Sequence, residues 1–296
     1  MSTELISNRY AGLDLWPTAD AVQAMLEGQI AAAAAVQAQA GAIAAAADAA
    51  AERLRESEGR LVYIGAGTSG RLAVQDGVEL GPTFDWREER TFYLLAGGMD
   101  AMLTSVEGAE DDQAAAEEAI RGAALTASDV AIGVAASGRT PFTVAALRAA
   151  RAAGALTIGI ASNGCTPLLA VADHPILIET GPEIVAGSTR MKAGTAQKIA
   201  LNLLSTATML RLGRVYDGLM VDMRLSNRKL QGRAAAMVSQ ITGVDRAAAE
   251  AALERSGGSI KLASLLALGA DVEEARQALD EAGGNLRAAL SRRGQG

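Results

Sequence analysis

Five short apolar runs, separated by stretches rich in helix-forming residues, occupy the centre of this 296-residue chain. Each run is rich in β-branched, aromatic or leucine residues and is followed by small or polar residues, as in buried strands that end in turns. Strands that alternate with helices predict an α/β fold with a mostly parallel five-stranded sheet covered on both faces. The predicted strands are "RLVYI", "RTFYLLAGG", "DVAIGVAA", "ALTIGIAS" and "HPILIET".

Helical sequence flanks the predicted sheet on both sides. Residues 13–57 are dominated by Ala, Leu, Gln and Glu with no proline after Pro17, which predicts an N-terminal helical arm. "TRMKAGTAQKIALNLLSTATMLRL" (189–212) predicts a long apolar helix in the core or at a subunit interface. We therefore expect a helical arm over 1–57, a sheet domain over 58–235 and a helical module over 240–296.

The last segment contains an internal repeat. "GVDRAAAEAALERSGGSIKLA" and "GADVEEARQALDEAGGNLRAA" align without gaps. Each copy predicts a capped helix, a Gly-Gly turn and the start of another helix. The segment offers no reactive groups beyond surface charge, so we interpret it as a packing or dimerisation module.

Composition excludes several classes of protein. The net charge is −7, there is no concentrated Lys/Arg run and aromatic residues make up 3% of the chain, which argues against a nucleic-acid surface. The single cysteine, Cys165, excludes internal disulfides. The N-terminus does not read as a signal peptide, and its alanine-rich helix is too weakly apolar to cross a bilayer. We expect a cytoplasmic protein without a membrane span.

A glycine loop, "GAGTSGR", follows the first predicted strand. Gly65, Gly67 and Gly70 satisfy the G-x-G-x-x-G pattern of dinucleotide-binding loops. That interpretation requires an acidic residue at the end of the next strand, where "TFYLL" is followed by Ala-Gly-Gly. The loop instead offers Thr68, Ser69 and Arg71 beside the backbone amides of a helix N-terminus, which favours a phosphate group.

A second loop of the same kind, "AASGRTP", follows the third predicted strand. It supplies Ser137, Gly138, Arg139 and Thr140. Ligands bind beyond the carboxyl ends of parallel strands, so the two loops are expected to converge on one anion. Either serine alone is more simply explained as a helix cap, and either arginine can be the partner of a surface carboxylate.

Several longer motifs carry a family resemblance. "TELISN", "GAGTSGRL", "ELGPTF", "SVEGAEDD", "AASGRTPF", "GPEIVAGSTRMKAGTAQK" and "NRKL" span nearly the whole chain. With them the chain resembles the sugar-isomerase (SIS) fold, with its doubly wound sheet, and more closely the N-acetylmuramic acid 6-phosphate etherases. The C-terminal module is similar to UBA-like helical modules.

The resemblance implies a cofactor-independent and metal-independent cytoplasmic lyase that acts as a homodimer on a small sugar phosphate. Its substrate would be N-acetylmuramate 6-phosphate and its products N-acetylglucosamine 6-phosphate and D-lactate. Elimination of the lactyl ether needs a base at C2 and an acid at the ether oxygen, and water then adds to C3. Two carboxyl groups in unlike environments are suited to these two roles.

The resemblance also assigns residues. Glu79 matches the proton donor and Glu110 the second active-site carboxylate; otherwise they read as a residue at a helix end and a first-turn charge. The phosphate- and sugar-binding residues would be Thr68, Ser69, Gly70, Arg71, Ser137, Gly138, Arg139, Thr140, Glu183, Ser188, Thr189 and Lys192.

Two features around Glu79 depart from this scheme. The Cys-Pro pair that follows this glutamate in the family is replaced by Leu80-Gly81, which leaves the local shape open. In an unbroken helix, Glu79 would lie roughly 14 Å from Gly70 along the axis. Either Gly77 ends the helix early, or the site is completed across a dimer interface.

Two other functions would use the same loops. An aldose–ketose isomerase needs the same C2 base and the same phosphate cradle. A non-enzymatic regulator like the glucokinase regulatory proteins keeps the cradle but has a duplicated sugar domain, for which this chain is too short. His174 and Cys165 are interpreted as structural residues.

Overall fold

The computed structural model describes residues 1–55 and 57–293, which form two compact units. The first unit comprises Met1–Val78 and Glu88–Thr208, and the second Glu79–Arg87 and the chain from Met209 onward. The α-helices of the described residues are α1 (Thr18–Gln37), α2 (Ala40–Arg55), α3 (Gly67–Val78), α4 (Leu80–Phe84), α5 (Gln113–Gly122), α6 (Pro141–Ala152), α7 (Pro167–Val171), α8 (Lys192–Arg211), α9 (Arg228–Thr242), α10 (Arg246–Arg255), α11 (Ile260–Ala267), α12 (Val272–Glu281) and α13 (Leu286–Arg293).

A five-stranded parallel sheet forms the centre of the first unit. Its order is β2-β1-β3-β4-β5, with each neighbouring pair parallel. The predicted sheet is therefore confirmed, although four of the five predicted runs extend past the C-terminal ends of their strands. The strands are β1 (Leu61–Gly65), β2 (Thr91–Leu95), β3 (Val130–Val134), β4 (Leu156–Ala161) and β5 (His174–Leu177).

Helices cover both faces of this sheet. Val62 and Ile64 of β1 belong to a buried cluster with residues of α5, α6 and α7. Tyr63 points to the other face, where its ring lies beside Gly77 of α3. Helix α2 packs against β5, β4 and β3. Both faces are therefore shielded from solvent, which explains why every residue of β1, β3 and β4 is buried.

The N-terminal arm consists of two helices. Within residues 13–57, which the sequence predicted to form a helical arm, α1 begins only after Pro17, and a break at Ala38 and Gln39 separates it from α2. No single helix of the described residues is long and apolar enough to cross a membrane, and the α1–α2 pair, bent by 57°, meets the length and composition criteria only when taken together.

Helix α3 rules out the first of the two explanations offered for the position of Glu79. It begins at Gly67, inside the glycine loop, and continues through Gly77 to Val78, so Gly77 does not end it. Gly77 is instead required by packing, because a Cβ there would lie 2.6 Å from Tyr93 Cε1 and 2.8 Å from Tyr63 Cε2. Val78 therefore lies about 12 Å from Gly70 along the helix axis.

A buried carboxylate connects α3 to α8. Asp76, 4% exposed, accepts hydrogen bonds from Asn202 Nδ2 at 2.6 Å, Tyr63 Oη at 3.1 Å and Ser205 Oγ at 3.2 Å. Burial raises the pKa of Asp76, and these three hydrogen bonds oppose that rise by favouring the carboxylate. The group fixes the C-terminal half of α3 against the core, and with it the glycine loop at the N-terminal end.

A second buried carboxylate joins the beginnings of β1 and β3. Asp129 accepts hydrogen bonds from Arg60 N at 2.7 Å, Arg60 Nε at 3.1 Å and Thr126 N at 2.7 Å. Burial favours the protonated acid, but the hydrogen bonds from Arg60 and Thr126 outweigh it and lower the pKa of Asp129.

We expect Asp129→Asn to lower the free energy of unfolding by about 2–4 kcal/mol at pH 7, because it leaves the Arg60 guanidinium without its counter-charge. Since the folded-state pKa is lowered, this stabilisation is present above the ordinary pKa of about 4 and is lost as the pH falls through the folded value. Urea unfolding at pH 7 and pH 3 measures both effects.

The exposed pair of Glu118 with Arg121 provides a control, and Glu118→Gln is expected to change stability by less than about 1 kcal/mol. An unchanged gap between wild type and Asp129→Asn at pH 3 would contradict this account.

The second unit is helical. The predicted repeat has the expected form, with Asp245 capping α10 and Asp271 capping α12, and with Gly-Gly turns before α11 and α13. Lys261 Nζ lies 2.5 Å from Asp222 Oδ2 in a nearly buried ion pair. Burial lowers the pKa of Lys261 and raises that of Asp222, while their mutual attraction opposes both changes.

Candidate active site

The glycine loop lies at the carboxyl end of β1, and close packing determines its shape. A Cβ on Gly65 would lie 2.6 Å from Gly70 Cα, and one on Gly70 would lie 2.4 Å from Leu95 Cδ1. Gly67 has a φ of +52°, in the region that favours glycine. The chain can thus turn tightly from strand into helix, which exposes the first amides of α3 to the space above the sheet.

The second loop lies beside the first because β1 and β3 are neighbours, with Gly65 paired to Val134. Ser137 Oγ accepts a hydrogen bond from Arg139 N at 3.1 Å and lies 3.5 Å from Thr140 Oγ1. Gly138 has a φ of +65°, and a Cβ there would lie 2.4 Å from Thr166 Oγ1. Helix α6 then begins at Pro141, so its N-terminus faces the same space as that of α3.

Both loops open onto one cleft of about 410 Å³. This volume falls in the range of about 300–1,000 Å³ that is usual for small-molecule sites. The cleft brings together seven of the predicted site residues, which are Thr68, Ser69, Glu110, Ser137, Arg139, Thr140 and Thr189. Its hydroxyl groups, two helix N-termini and a guanidinium suit a phosphate group, while the acidic residues Glu4, Glu110 and Asp111 also line the cleft.

The two predicted catalytic glutamates occupy different places. Glu110 lines the cleft from an exposed position in the 3₁₀ turn Ala109–Asp111. The sequence suggested that Glu110 lies in the first turn of α5. The helix begins later, because Asp112 caps it by accepting a hydrogen bond from Ala115 N at 2.9 Å. Glu79 directly follows α3, is exposed, and is not among the residues that line the cleft.

The two predicted arginines also have different positions. Arg139 is exposed at the cleft and donates from Nη2 to Cys165 O at 3.2 Å. Arg71 lies outside this cleft, and its guanidinium donates to Ala101 O at 2.8 Å and Thr104 O at 3.3 Å.

Two predicted site residues near the start of α8, Glu183 and Lys192, make hydrogen bonds within the protein. Glu183, 1% exposed, accepts hydrogen bonds from Lys192 N at 3.0 Å and Ala193 N at 2.9 Å, and so caps the N-terminus of α8. Lys192 Nζ donates to Pro182 O at 2.8 Å, and burial lowers the pKa of Lys192. Ser188 is half-buried and, like Gly70 and Gly138, does not line the cleft.

The N-terminal segment contributes to the cleft in a way that the sequence did not reveal. Met1 and Glu4 line it. Thr3 is fully buried and accepts a hydrogen bond at Oγ1 from Asn163 Nδ2 at 3.0 Å, while Ser2 Oγ donates to Asn163 Oδ1 at 3.0 Å. Asn163 follows β4 at the carboxyl edge of the sheet, a position that could have indicated a role there.

His174 and Cys165 remain outside the candidate site. His174 is the first residue of β5, so it lies at the amino ends of the strands, whereas the two loops lie at the carboxyl ends. Cys165 is an exposed thiol beyond β4. Across residues 1–55 and 57–293, no three His, Cys, Asp or Glu side chains are grouped so that they could hold a metal ion.

Two family models match the sheet region. The glucokinase regulatory protein N-terminal SIS domain matches residues 42–151, and the SIS domain matches residues 101–207. A protein from Bacteroides fragilis described as a phosphosugar isomerase involved in capsule formation shares this fold, with a TM-score of 0.50 and 18% identity over 68% of this chain and 95% of that one. The parallel sheet, its paired loops and these matches define a SIS-domain protein.

Sequence relatives identify the family more closely. The chain is 52% identical to an N-acetylmuramic acid 6-phosphate etherase of Deinococcus radiodurans, over 97% of this chain and 94% of the relative. It is 47% identical to an N-acetylmuramic acid 6-phosphate etherase of Streptomyces avermitilis, over 98% of this chain and 94% of that relative. The chain belongs to the N-acetylmuramic acid 6-phosphate etherase family.

Proposed function

We propose that the protein is a carbon–oxygen lyase that cleaves the D-lactyl ether of N-acetylmuramate 6-phosphate. The products are N-acetylglucosamine 6-phosphate and D-lactate, as in the recycling of cell-wall amino sugars. The observation that carries the proposal is the cleft that joins the two serine-bearing loops to Glu110. The names of the relatives support the same reaction.

The two loops bind the phosphate in this proposal. Thr68, Ser69 and Thr140 offer hydroxyl groups, and within the described residues Thr68 and Ser69 donate no side-chain hydrogen bond to the protein. The first amides of α3 and α6 and the Arg139 guanidinium add positive potential. Thr189 also lines the cleft and borders the sugar in this proposal.

Glu110 and Glu79 divide the proton transfers. One carboxylate removes the C2 proton of the open-chain sugar, which the C1 aldehyde acidifies. The C3–O bond then breaks, C2 and C3 become doubly bonded, and the other carboxyl group gives its proton to the departing lactyl oxygen. Water adds to C3 and a proton returns to C2. These reaction steps balance in atoms and electrons without an oxidant, a nucleotide or a metal ion. We therefore expect no cofactor.

A homodimer would bring Glu79 to the reaction. Glu79 is exposed, and α3 runs unbroken to the residue before it. Exposed apolar side chains lie nearby in the sequence and on α8, with Val78 55% and Leu203 48% exposed, as expected of a surface that another copy covers. We infer that Glu79 enters the cleft of a second subunit, and that this subunit desolvates the site.

Mixing two inactive variants tests this shared site. If Glu79 acts across the interface, a dimer of one Glu79→Gln and one Glu110→Gln subunit contains one intact site, because both wild-type carboxylates meet there. Random exchange of subunits is then expected to restore roughly a quarter of the wild-type activity. Each variant alone is the control. No recovery in verified mixed dimers would contradict the shared site.

The protein is expected to work in the cytoplasm on a small sugar phosphate, without a nucleic-acid or membrane partner. Its net charge of −7 and the absence of a concentrated basic run support this expectation. The predicted 240–296 module, similar to UBA-like modules, is proposed to serve packing or dimerisation.

A coupled enzymatic assay for D-lactate tests the proposed reaction. Added N-acetylmuramate 6-phosphate should release D-lactate without metal ions or nucleotides, and a chelator should not reduce the rate. Interconversion of aldose and ketose phosphates without lactate would favour an isomerase. Tight binding of the sugar phosphate with no turnover would favour a regulator.

A further inference from the structure

A second cleft of about 330 Å³ adjoins the phosphate-binding cleft. The two share Ala66, Gly67 and Glu110, so they meet at the proposed catalytic carboxylate. Arg71, Ala101 and Val106 line the second cleft but not the first. The phosphate group, which lies between the two loops in the proposed function, does not occupy this second cleft.

Arg71 gives the second cleft its positive charge. Two hydrogen bonds hold its guanidinium, from Nε to Ala101 O at 2.8 Å and from Nη2 to Thr104 O at 3.3 Å. An arginine has five N–H donors, and within the described residues these two bonds use two of them, with no ion pair to a carboxylate. The remaining donors are held in one orientation, which is suited to a carboxylate.

The other charged groups of this cleft limit where an anion can bind. Glu107 and Glu110 also line it, and both are exposed. Arg71 is half-buried, and Ala96 and Ala101, which also line the cleft, are buried. An anionic ligand is therefore stabilised beside Arg71 and repelled by the exposed carboxylates.

We propose that the second cleft binds the lactyl group of the substrate, with Arg71 pairing with the lactyl carboxylate. The inference rests on the proposed function. N-acetylmuramate 6-phosphate carries two anionic groups, the phosphate on C6 and the lactyl carboxylate on C3. The two adjoining clefts match this pair, and Glu110 lies between them, where C2, C3 and the ether oxygen react. The lactyl methyl group packs against Ala101 and Val106.

This assignment makes Arg71 a specificity-determining residue. N-acetylglucosamine 6-phosphate lacks the lactyl group and makes no contact with Arg71, so the protein distinguishes substrate from sugar product at this position. The assignment also separates Arg71 from Ser69 and Ser137, which contact the phosphate common to both compounds.

The test compares the two ligands in full-length protein. Isothermal titration in a Glu79→Gln background, which prevents turnover, measures affinity for N-acetylmuramate 6-phosphate and N-acetylglucosamine 6-phosphate. Arg71→Met is expected to weaken binding of the first by about 30-fold or more and to change binding of the second by less than about threefold. Arg71→Lys should recover only part of the loss, because a lysine cannot pair in a bidentate manner.

Ser105 allows the same test without removing the hydrogen bonds of Arg71. Its side chain lines the second cleft and is exposed. Ser105→Glu adds a negative charge that should selectively weaken binding of the lactyl-bearing ligand, by about fivefold or more. Ser105→Gln is the neutral control of nearly the same size as Ser105→Glu, and the selective loss is measured as the difference in affinity between these two variants.

The outcomes separate this inference from the proposed function. If the wild-type protein releases no D-lactate, the proposed function fails and the inference fails with it. If D-lactate is released but Arg71→Met weakens both ligands equally, or neither, the lactyl subsite is wrong. If Arg71→Met does not fold, equal affinities of Ser105→Glu and Ser105→Gln for the lactyl-bearing ligand overturn the proposal.

Discussion

Replacing either catalytic carboxylate with its amide is expected to abolish release of D-lactate almost completely. Glu110→Gln and Glu79→Gln keep the size of the side chain but remove proton transfer, which contributes about 10²–10⁴-fold to the rate in general acid–base catalysis. Affinity for the substrate should change little, because the phosphate loops remain intact. Rates in the coupled lactate assay and affinities from titration measure the two effects separately.

The same substitution on the exposed face of α5 provides the control. Glu117 is exposed and lines neither of the two clefts. Glu117→Gln should react at the wild-type rate. Wild-type rates in Glu110→Gln would remove that residue from the mechanism, and the same result for Glu79→Gln would remove the need for a second subunit in the chemistry.

The second large effect is expected from removing the two loop serines together. Hydrogen bonds to a charged group contribute about 1.5–3 kcal/mol each, so Ser69→Ala with Ser137→Ala should weaken binding of N-acetylmuramate 6-phosphate by about 100-fold or more. The effect should appear equally with N-acetylglucosamine 6-phosphate, because both compounds carry the phosphate. It should disappear with unphosphorylated N-acetylmuramate, which all variants should bind weakly.

Ser128 supplies a matched serine for this experiment. It lies just before β3, at the opposite end of the strand from Ser137. Ser128→Ala is therefore expected to leave affinity for both sugar phosphates unchanged. If the double variant binds them as tightly as Ser128→Ala does, the phosphate does not bind between these loops.

The sequence predicted the sheet because its signals are local. Each strand is a short apolar run, and in a parallel sheet both faces are buried, so the runs stand out without knowledge of their partners. The placing of the two loops followed from the same logic, because the loops that carry Ser69 and Ser137 come after strands that prove to be neighbours. A loop at the carboxyl end of a parallel strand can therefore be placed from its position in the sequence.

Other features depend on contacts that sequence patterns do not encode. Gly77 looked like a helix breaker, but it is a glycine because two tyrosine rings occupy the space of a side chain. Arg71 follows a phosphate loop, yet its guanidinium is held by carbonyl oxygens about thirty residues further along the chain. The contact of Thr3 with Asn163 joins residues 160 positions apart. Such pairings are determined by tertiary packing.

The most direct test of the account is the reaction in heavy-oxygen water. Elimination followed by hydration breaks the C3–O bond, so the ether oxygen leaves with D-lactate and the new C3 hydroxyl comes from solvent. Mass spectrometry of sugar fragments separates this C3 oxygen from the exchangeable C1 oxygen. We predict one heavy oxygen at C3 and none in D-lactate. Heavy oxygen in the lactate hydroxyl, with none at C3, would contradict elimination and hydration in this cleft.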